Sequence, residues 1–383
     1  MIAIRSVSRS LLLVAVLVPG GCARDPLPAP SAAPTPSTSG EPSDDPIAAL
    51  AVKAQEEGTL TTIALPRDSC DNGKAIDTFK AKYGLAVNEQ DPLASSGEVV
   101  DAIDANKDNP SPHAPDVIHV GLSFGPSAQA AGLLAPYKVA TWDTIPEEAK
   151  DSGGYWWGDY YGVISFEVNR AVASSVPEDW PDLLGPEYEG QVALAGDPRT
   201  SDLAIQSVFA ASLANGGSLD DPLPGLEFFR QLHDAGNLLP RVATATTVAA
   251  GETPIAIRWT YDALSNRDTT IARGGPEIEV VVPKSGRLAG IFLQGISAYT
   301  LHPNAAKLWQ EFLFSDEGQN IWLKGYCHPI RYENLVEMNA VPQEQLDKLP
   351  DVEGAVFPSL DQLNAASALI TSQWDSEVGL NVQ

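Results

Sequence analysis

The stretch Gly121-Leu122-Ser123-Phe124-Gly125 has the G-x-S-x-G spacing of a nucleophile elbow, a tight turn that exposes a serine hydroxyl between a strand and a helix. Acyl transfer from Ser123 would need a histidine to take its proton and a carboxylate to orient that histidine; His302 and His328 are available later in the chain. Three features oppose this chemistry. Pro126 stands where the helix behind the elbow should already be running. No glycine-rich oxyanion segment with a histidine lies upstream, and too few strands precede Ser123 to place it mid-sheet. The five histidines, His113, His119, His233, His302 and His328, contain no i, i+4 pair and no Cys-x-x-Cys accompanies them, so zinc-type spacing is missing. No glycine-rich nucleotide loop is present either. A secreted serine hydrolase using Ser123 is the weakest reading, and a chain without catalysis, metal or cofactor is expected.

The remaining chemistry is recognition. "DPRTSDLAIQ" puts Thr200 and Ser201 at the start of a helix directly after a strand, where free N–H groups and the helix dipole favour an anion. Ordinary N-capping accounts for the same two residues. Arg199 adjoins them, and Arg67 and Arg258 fall at the ends of two other strands, as anion partners or as members of salt bridges. Asp68, Asp159 and Asp262 are able to hold ammonium groups, with Trp259, Tyr160 and Tyr261 stacking on the intervening methylenes. The alternatives are turn and capping roles for the acids and hinge-side packing for Trp259 and Tyr261. Ser69, Ser123 and Phe124 complete the strand-end loops.

The elements that must position these groups alternate along the chain. "GTLTTIAL", "PDVIHVG", "YYGVISFEVNR", "QVALAG", "TPIAIRW" and "EIEVVVPKSG" read as strands. "GKAIDTFKAKYG" reads as an amphipathic helix with Ile76, Phe79 and Tyr83 on one face and Gly84 as its stop. Helices are also expected over 126–137, 201–217, 225–236 and, as a pair, over 303–326, with Leu308, Trp309, Phe312 and Leu313 forming a core face. Asp316, three residues before Gln319, reads as the cap of the second helix of that pair. Such alternation argues α/β layering with a largely parallel sheet in each lobe. In open α/β sheets the crevice lies at the carboxyl ends of strands, which directs attention to loops 66–73, 122–127, 197–201 and 259–264.

Composition narrows the partners. The 24 Lys+Arg stand against 50 Asp+Glu, which disfavours nucleic acid, because phosphate contacts need a basic surface. The N-terminal apolar run Leu11–Val18 is eight residues long, far short of the roughly 20 that a spanning helix needs. Flanked by Arg5 and Arg9, it suits the apolar region of an export signal. It ends in Gly20-Gly21 before Cys22, an arrangement that resembles the bacterial lipoprotein signal, in which lipid is attached to the cysteine. Pro19 stands where that signal usually has leucine, so ordinary secretion stays open beside lipid anchoring. Residues 22–46 are rich in Pro, Ser and Ala and read as a disordered spacer. Of three cysteines, Cys22 is assigned to lipid; Cys70 and Cys327 then read as a disulfide in an exported protein, with two unrelated thiols as the alternative.

Several motifs agree in order and spacing with one family. They are "GKAIDTFKAKYG", "AAGLLAPY", "YYGVISFEVNR", "LLGPEYEGQVALAGDPRTS", "AGETPIAIRWTYDAL" and "HPNAAKLWQEFLFSDEGQNIWLKGYCHPIR". Over about residues 57–335 the chain resembles an extracellular solute-binding protein of an ABC importer, in the group that binds ferric iron, polyamines, phosphonates or sugar phosphates. The resemblance implies a two-lobed α/β fold of the type II periplasmic-binding kind, with hinge strands near 161–165 and 281–290 and a ligand cleft between the lobes. It implies lobe 1 over 57–161, lobe 2 over 162–276, a return to lobe 1 over 277–335 and a C-terminal helical segment over 336–383. It also implies a monomer that delivers a small solute to permease subunits while lipid on Cys22 holds it to the outer face of the cell membrane. Where iron binders carry adjacent tyrosines, Trp259 and Thr260 stand; where polyamine binders carry an acid beside tryptophan, Leu293 and Gly295 stand. The expected solute is therefore a small anionic or zwitterionic organic molecule or a polyamine, ahead of iron. The expected ligand set is Arg67, Asp68, Ser69, Ser123, Phe124, Tyr160, Arg199, Thr200, Ser201, Trp259, Tyr261 and Asp262.

Overall fold

The computed structural model describes residues 45–107, 111, 114–173 and 175–383. The expected leader 1–21, its Cys22 and the spacer up to residue 44 lie outside the described residues, as does His113. Among the described residues no helix is long and apolar enough to cross a membrane.

Among the described residues ten strands and thirteen α-helices follow one another. The strands are β1 (Thr59–Ile63), β2 (Ala86–Gln90), β3 (Val117–Gly121), β4 (Leu134–Ala135), β5 (Trp157–Asn169), β6 (Val192–Leu194), β7 (Ile255–Trp259), β8 (Ile278–Val281), β9 (Ala289–Ser297) and β10 (His328–Pro329). The helices are α1 (Pro46–Glu57), α2 (Asn72–Tyr83), α3 (Ser96–Asp104), α4 (Phe124–Ala130), α5 (Asp202–Ala214), α6 (Leu223–Asp234) and α7 (Ala245–Ala249). They continue as α8 (Thr260–Ala272), α9 (Pro303–Leu313), α10 (Asp316–Lys324), α11 (Tyr332–Glu337), α12 (Gln343–Leu346) and α13 (Leu360–Glu377).

The folded body begins just after the expected spacer with α1, ahead of the first strand; Asp45 caps it by accepting from Ile47 N at 2.9 Å and Gly58 ends it at φ 78°. Its pattern is easily missed beside a proline-rich stretch, and tertiary contact sustains it. The Glu57 carboxylate takes Asn304 N (3.0 Å), Asn304 Nδ2 (2.6 Å) and Ala305 N (2.8 Å), so α1 satisfies otherwise orphaned donors at the start of α9. The cap of α10 is Ser315, not Asp316: its backbone is extended and its Oγ accepts from Gly318 N at 3.2 Å. Asp316 lies in the first turn, where a carboxylate suits the dipole, and pairs with Arg331 Nη2 at 3.0 Å.

The sheets are less parallel than the alternation implied. β1–β2 and β6–β7 are parallel, as crossovers through helices require. Every other strand pairing is antiparallel: β3–β9, β4–β9, β5–β9, β5–β7, β5–β8 and β10–β5. The reason is that two stretches pass between the lobes in opposite directions, side by side. β5 pairs through Val163 with β9 and from Ile164 with β7, so its two halves serve different sheets. The β8–β9 stretch runs back alongside it, Phe166 opposite Val281 and Gly162 opposite Gly290. One lobe thus holds β1–β4, β10 and the first half of β5; the other holds β6–β8 and the second half.

Packing follows the helical pattern. Leu308, Trp309, Phe312 and Leu313 of α9 are all buried, with Phe79 of α2 edge-on to Trp309 at 5.0 Å between ring centres. Cys70 and Cys327 form a disulfide that spans 257 residues of sequence, with Cα atoms 5.4 Å apart. It ties the loop after β1 to the turn before β10. The C-terminal helix α13 packs on α5 and α6 of the second lobe.

Candidate functional site

A cavity of about 440 Å³ opens where the two lobes meet. The first lobe supplies Ala64, Pro66, Asp68 and Ser69 from the loop after β1, Pro92, Leu93, Ala94 and Ser96 from the segment after β2, and His119 from β3. Tyr160 of β5 and Phe292 of β9 form its floor, while the second lobe supplies Leu203, Trp259, Tyr261, Asp262, Ser265 and Asn266. Its size lies within the range of about 300–1,000 Å³ that small-molecule sites occupy.

Local backbone chemistry sets the walls. Side chains alternate along a strand, so Tyr160 faces this cavity while Tyr161 turns to the other side, where its ring stacks on His328 at 5.1 Å. The same alternation puts Phe292 in the cavity and Leu293 in the apolar core behind it. At the crossing, the paired glycines Gly162 and Gly290 leave room for two aromatic rings. A Cβ on Gly162 would overlap the Tyr261 ring, and one on Gly290 would overlap the Trp259 indole. Tyr160 and Tyr261 meet edge to face at 5.8 Å, and Trp259 stacks on Tyr261 at 6.4 Å. Tyr160 and Tyr261 are only 3% and 4% exposed, and among the described residues their hydroxyls have no hydrogen-bond partner.

A buried polar chain runs inward from His119 at the cavity wall. His119 Nδ1 sits 3.2 Å from the Ala64 carbonyl, which can only accept, so that nitrogen carries the proton. Its Nε2 is 3.3 Å from Asp159 Oδ2, and Gln294 Nε2 donates to the same oxygen at 2.8 Å. Burial raises Asp159, with His119 and Gln294 opposing. Asp159 is thereby engaged and does not line the cavity.

The charged wall is acidic. Asp262, in the first turn of α8, is raised to about 6 by burial, with Arg258 lowering it and Asp68 adding to the rise. Arg258 itself sits behind the wall, 2.9 Å from Glu167 and donating to the Ala243 carbonyl at 3.0 Å. Burial pushes Glu167 up to about 7 against that pairing. Asn266 donates to Glu167 at 3.3 Å.

Of the residues expected from sequence, Asp68, Ser69, Tyr160, Trp259, Tyr261 and Asp262 come together here. Arg67 turns outward to Asp77 (2.6 Å) and Glu89 (2.8 Å). Arg199 is held by Asp197 (2.7 Å) and Asp375 (3.3 Å). Ser201 caps α5 by accepting from Ala204 N at 3.4 Å, and the Thr200 amide donates to the Asp197 carbonyl at 3.0 Å. Ser123 and Phe124 begin α4 and lie outside the cavity lining. The elbow's partners are elsewhere: His302 Nδ1 lies 3.0 Å from Asp116, and His328, lowered to about 4 by burial, packs against Tyr161. Sequence reasoning missed His119, Phe292, Ser265 and Asn266. A single histidine inside the all-buried strand "VIHVG" was the available signal for the first. Among the described residues no group of three or more His, Cys, Asp or Glu is placed to hold a metal ion.

Comparison with known proteins agrees with this architecture. The family described as bacterial extracellular solute-binding protein matches residues 113–355. An uncharacterized protein of Haemophilus influenzae is 30% identical over 246 residues, which cover 60% of this chain and 66% of that relative, just under two thirds of its length. Among solved structures, the fructose-6-phosphate-bound periplasmic binding protein AfuA from Actinobacillus pleuropneumoniae superposes with a TM-score of 0.64 at 22% identity, over 84% of this chain and 98% of AfuA. Iron-bound HitA from Pseudomonas aeruginosa gives 0.59 at 19% identity, over 82% and 98%. At these identities the two structures speak for the fold alone, which is that of periplasmic binding proteins.

Proposed function

We propose, from the premise that this chain belongs to the bacterial extracellular solute-binding proteins, that it captures a small organic solute outside the cytoplasmic membrane and passes it to the permease of an ABC importer. Lipid on Cys22 is the tether in this reading, and the chain does no chemistry on its cargo. The solute carries a protonated amine. It lies between Tyr160, Tyr261, Trp259 and Phe292, with its ammonium group directed to the carboxylates of Asp68 and Asp262.

One observation carries the choice of an amine. Among the residues lining the cavity the carboxylates are Asp68 and Asp262, and no lysine or arginine is present. Arg67, Arg199 and Arg258 are all committed to carboxylates of the protein itself. A phosphate or sugar phosphate entering here would meet acids and ring faces, whereas ring faces attract cations through their quadrupole. The anionic end of the solute range expected from sequence is therefore disfavoured.

A thermal-shift panel on the full mature chain tests the reading. Putrescine, spermidine, an amino acid, aminoethylphosphonate, glucose 6-phosphate and ferric citrate are compared at equal excess. A ligand that binds only the native state raises Tm by mass action, and the amines are expected to do so. Stabilisation by glucose 6-phosphate or ferric citrate alone would overturn the amine assignment.

A further inference from the structure

Asp68 and Asp262 belong to different lobes. Asp68 sits on the loop after β1, four positions before the start of α2 at the cavity's first-lobe wall, and Asp262 sits in the first turn of α8 on the opposite wall. These walls touch: Ser265 Oγ, one helical turn beyond Asp262, donates to the Asp68 carbonyl at 3.4 Å. Among the described residues no lysine or arginine lines the cavity between them. Arg67, the neighbour of Asp68, faces away toward Asp77 and Glu89, and Arg258 is spent on Glu167 behind the wall. Keeping the lobes together therefore holds two carboxylates near each other in a partly desolvated space, which costs free energy unless a positive charge enters between them.

We infer that Asp68 and Asp262 form a split cation site, one carboxylate per lobe, and that the solute's ammonium group is the counter-ion that permits closure. This rests on the amine reading above and extends it: the acids are a lock against closing empty as well as a recognition element. The side chains of Tyr160 and Tyr261, only 3% and 4% exposed, line the cavity and have hydroxyls without a partner among the described residues, an independent sign that a hydrogen-bonding guest completes this wall. A single ammonium suffices if it bridges the two acids. Ring faces of Tyr160 and Trp259 then cover the attached methylenes.

The test separates the lock from the reading beneath it. Putrescine and spermidine are titrated into the wild-type full mature chain, Asp262→Asn, Asp68→Asn and the double variant, with Asp262→Glu as the conservative rescue. Each single variant is expected to bind about 10-fold or more weakly than wild type, the loss of one charge-assisted contact. The Glu variant is expected to recover most of that loss. X-ray scattering of the ligand-free proteins supplies the second readout: the double variant is expected to be more compact than wild type, with the difference shrinking at high salt as the carboxylates are screened. If neither amine binds wild type, the amine reading itself falls. If the amines bind wild type and Asp262→Asn equally, the split site is wrong although the amine reading stands. If binding weakens but ligand-free wild type and double variant scatter identically, the carboxylates recognise the solute without holding the lobes apart, and the lock is refuted.

Discussion

Removing the disulfide should cost both stability and affinity, and the structure sets the size of each effect. The Cys70–Cys327 bond closes a loop spanning 257 residues, for which the chain-entropy relation gives a ceiling of about 5.5 kcal/mol at 25 °C. Denatured chains are more compact than that relation assumes, so a loss of about 3–5 kcal/mol is expected for Cys70→Ala with Cys327→Ala. The two sulfur sites are almost fully buried, so the double variant is a cleaner perturbation than added reductant. The bond also holds an unfavourable loop. Ala64, Cys70 and Asp71 adopt φ of 57°, 51° and 55°, left-handed conformations that non-glycine residues avoid at a cost of about 1–3 kcal/mol each. Freed from Cys327, this loop should relax and carry Asp68 and Ser69 away from the cavity. Urea unfolding followed by tryptophan fluorescence gives the first quantity, and calorimetric titration with the best amine gives the second, expected to weaken about 10-fold. A stability loss below about 1 kcal/mol at unchanged m would refute the entropic argument. An unchanged affinity would refute the idea that the bond positions Asp68.

Other expectations are narrower. Gly290→Ala places a methyl against the Trp259 indole and 2.7 Å from Gln206 Oε1, so it should cost about 1–3 kcal/mol and weaken solute binding, read by calorimetry. Asp262 is raised to about 6 by burial, with Arg258 of β7 opposing and Asp68 reinforcing, while Glu167 of β5 and the phenols of Tyr160 and Tyr261 pack around the same wall. A carboxyl raised on folding contributes fully below its unfolded value of about 4, and that contribution is lost as pH rises through the folded value. Ligand-free wild type should therefore lose stability relative to Asp262→Asn as pH rises from about 4.5 to about 7.5, and a constant difference in urea midpoint would contradict this. Glu57→Ala strips the acceptor from Asn304 and Ala305 and should cost about 1–3 kcal/mol in the same unfolding assay.

What the sequence determined by itself was local or arithmetical. Periodicity located α2, α6 and the α9–α10 pair because each buries one stripe or face, and the residues Ile76, Phe79, Trp309 and Phe312 that mark those stripes are buried; α5, buried from Ala204 to Ser212 without a break, was legible instead from its apolar run and the Gly216-Gly217 stop. Counting cysteines paired Cys70 with Cys327, since export leaves few uses for two thiols. Motif order carried the family and the two-lobed α/β architecture. Only the tertiary structure decided which charges are free. Arg199 is quenched partly by Asp375, distant in sequence, and Arg67 by Asp77 and Glu89, so a positive residue at a strand end says nothing about where its guanidinium goes. The antiparallel crossing of β5 with β8–β9, the face to which Phe292 and Tyr160 turn, and the entry of His119 into the floor depend on register between strands far apart in the chain. Local propensity has no term for such pairing, because its energy exists only after the chain has brought the partners together.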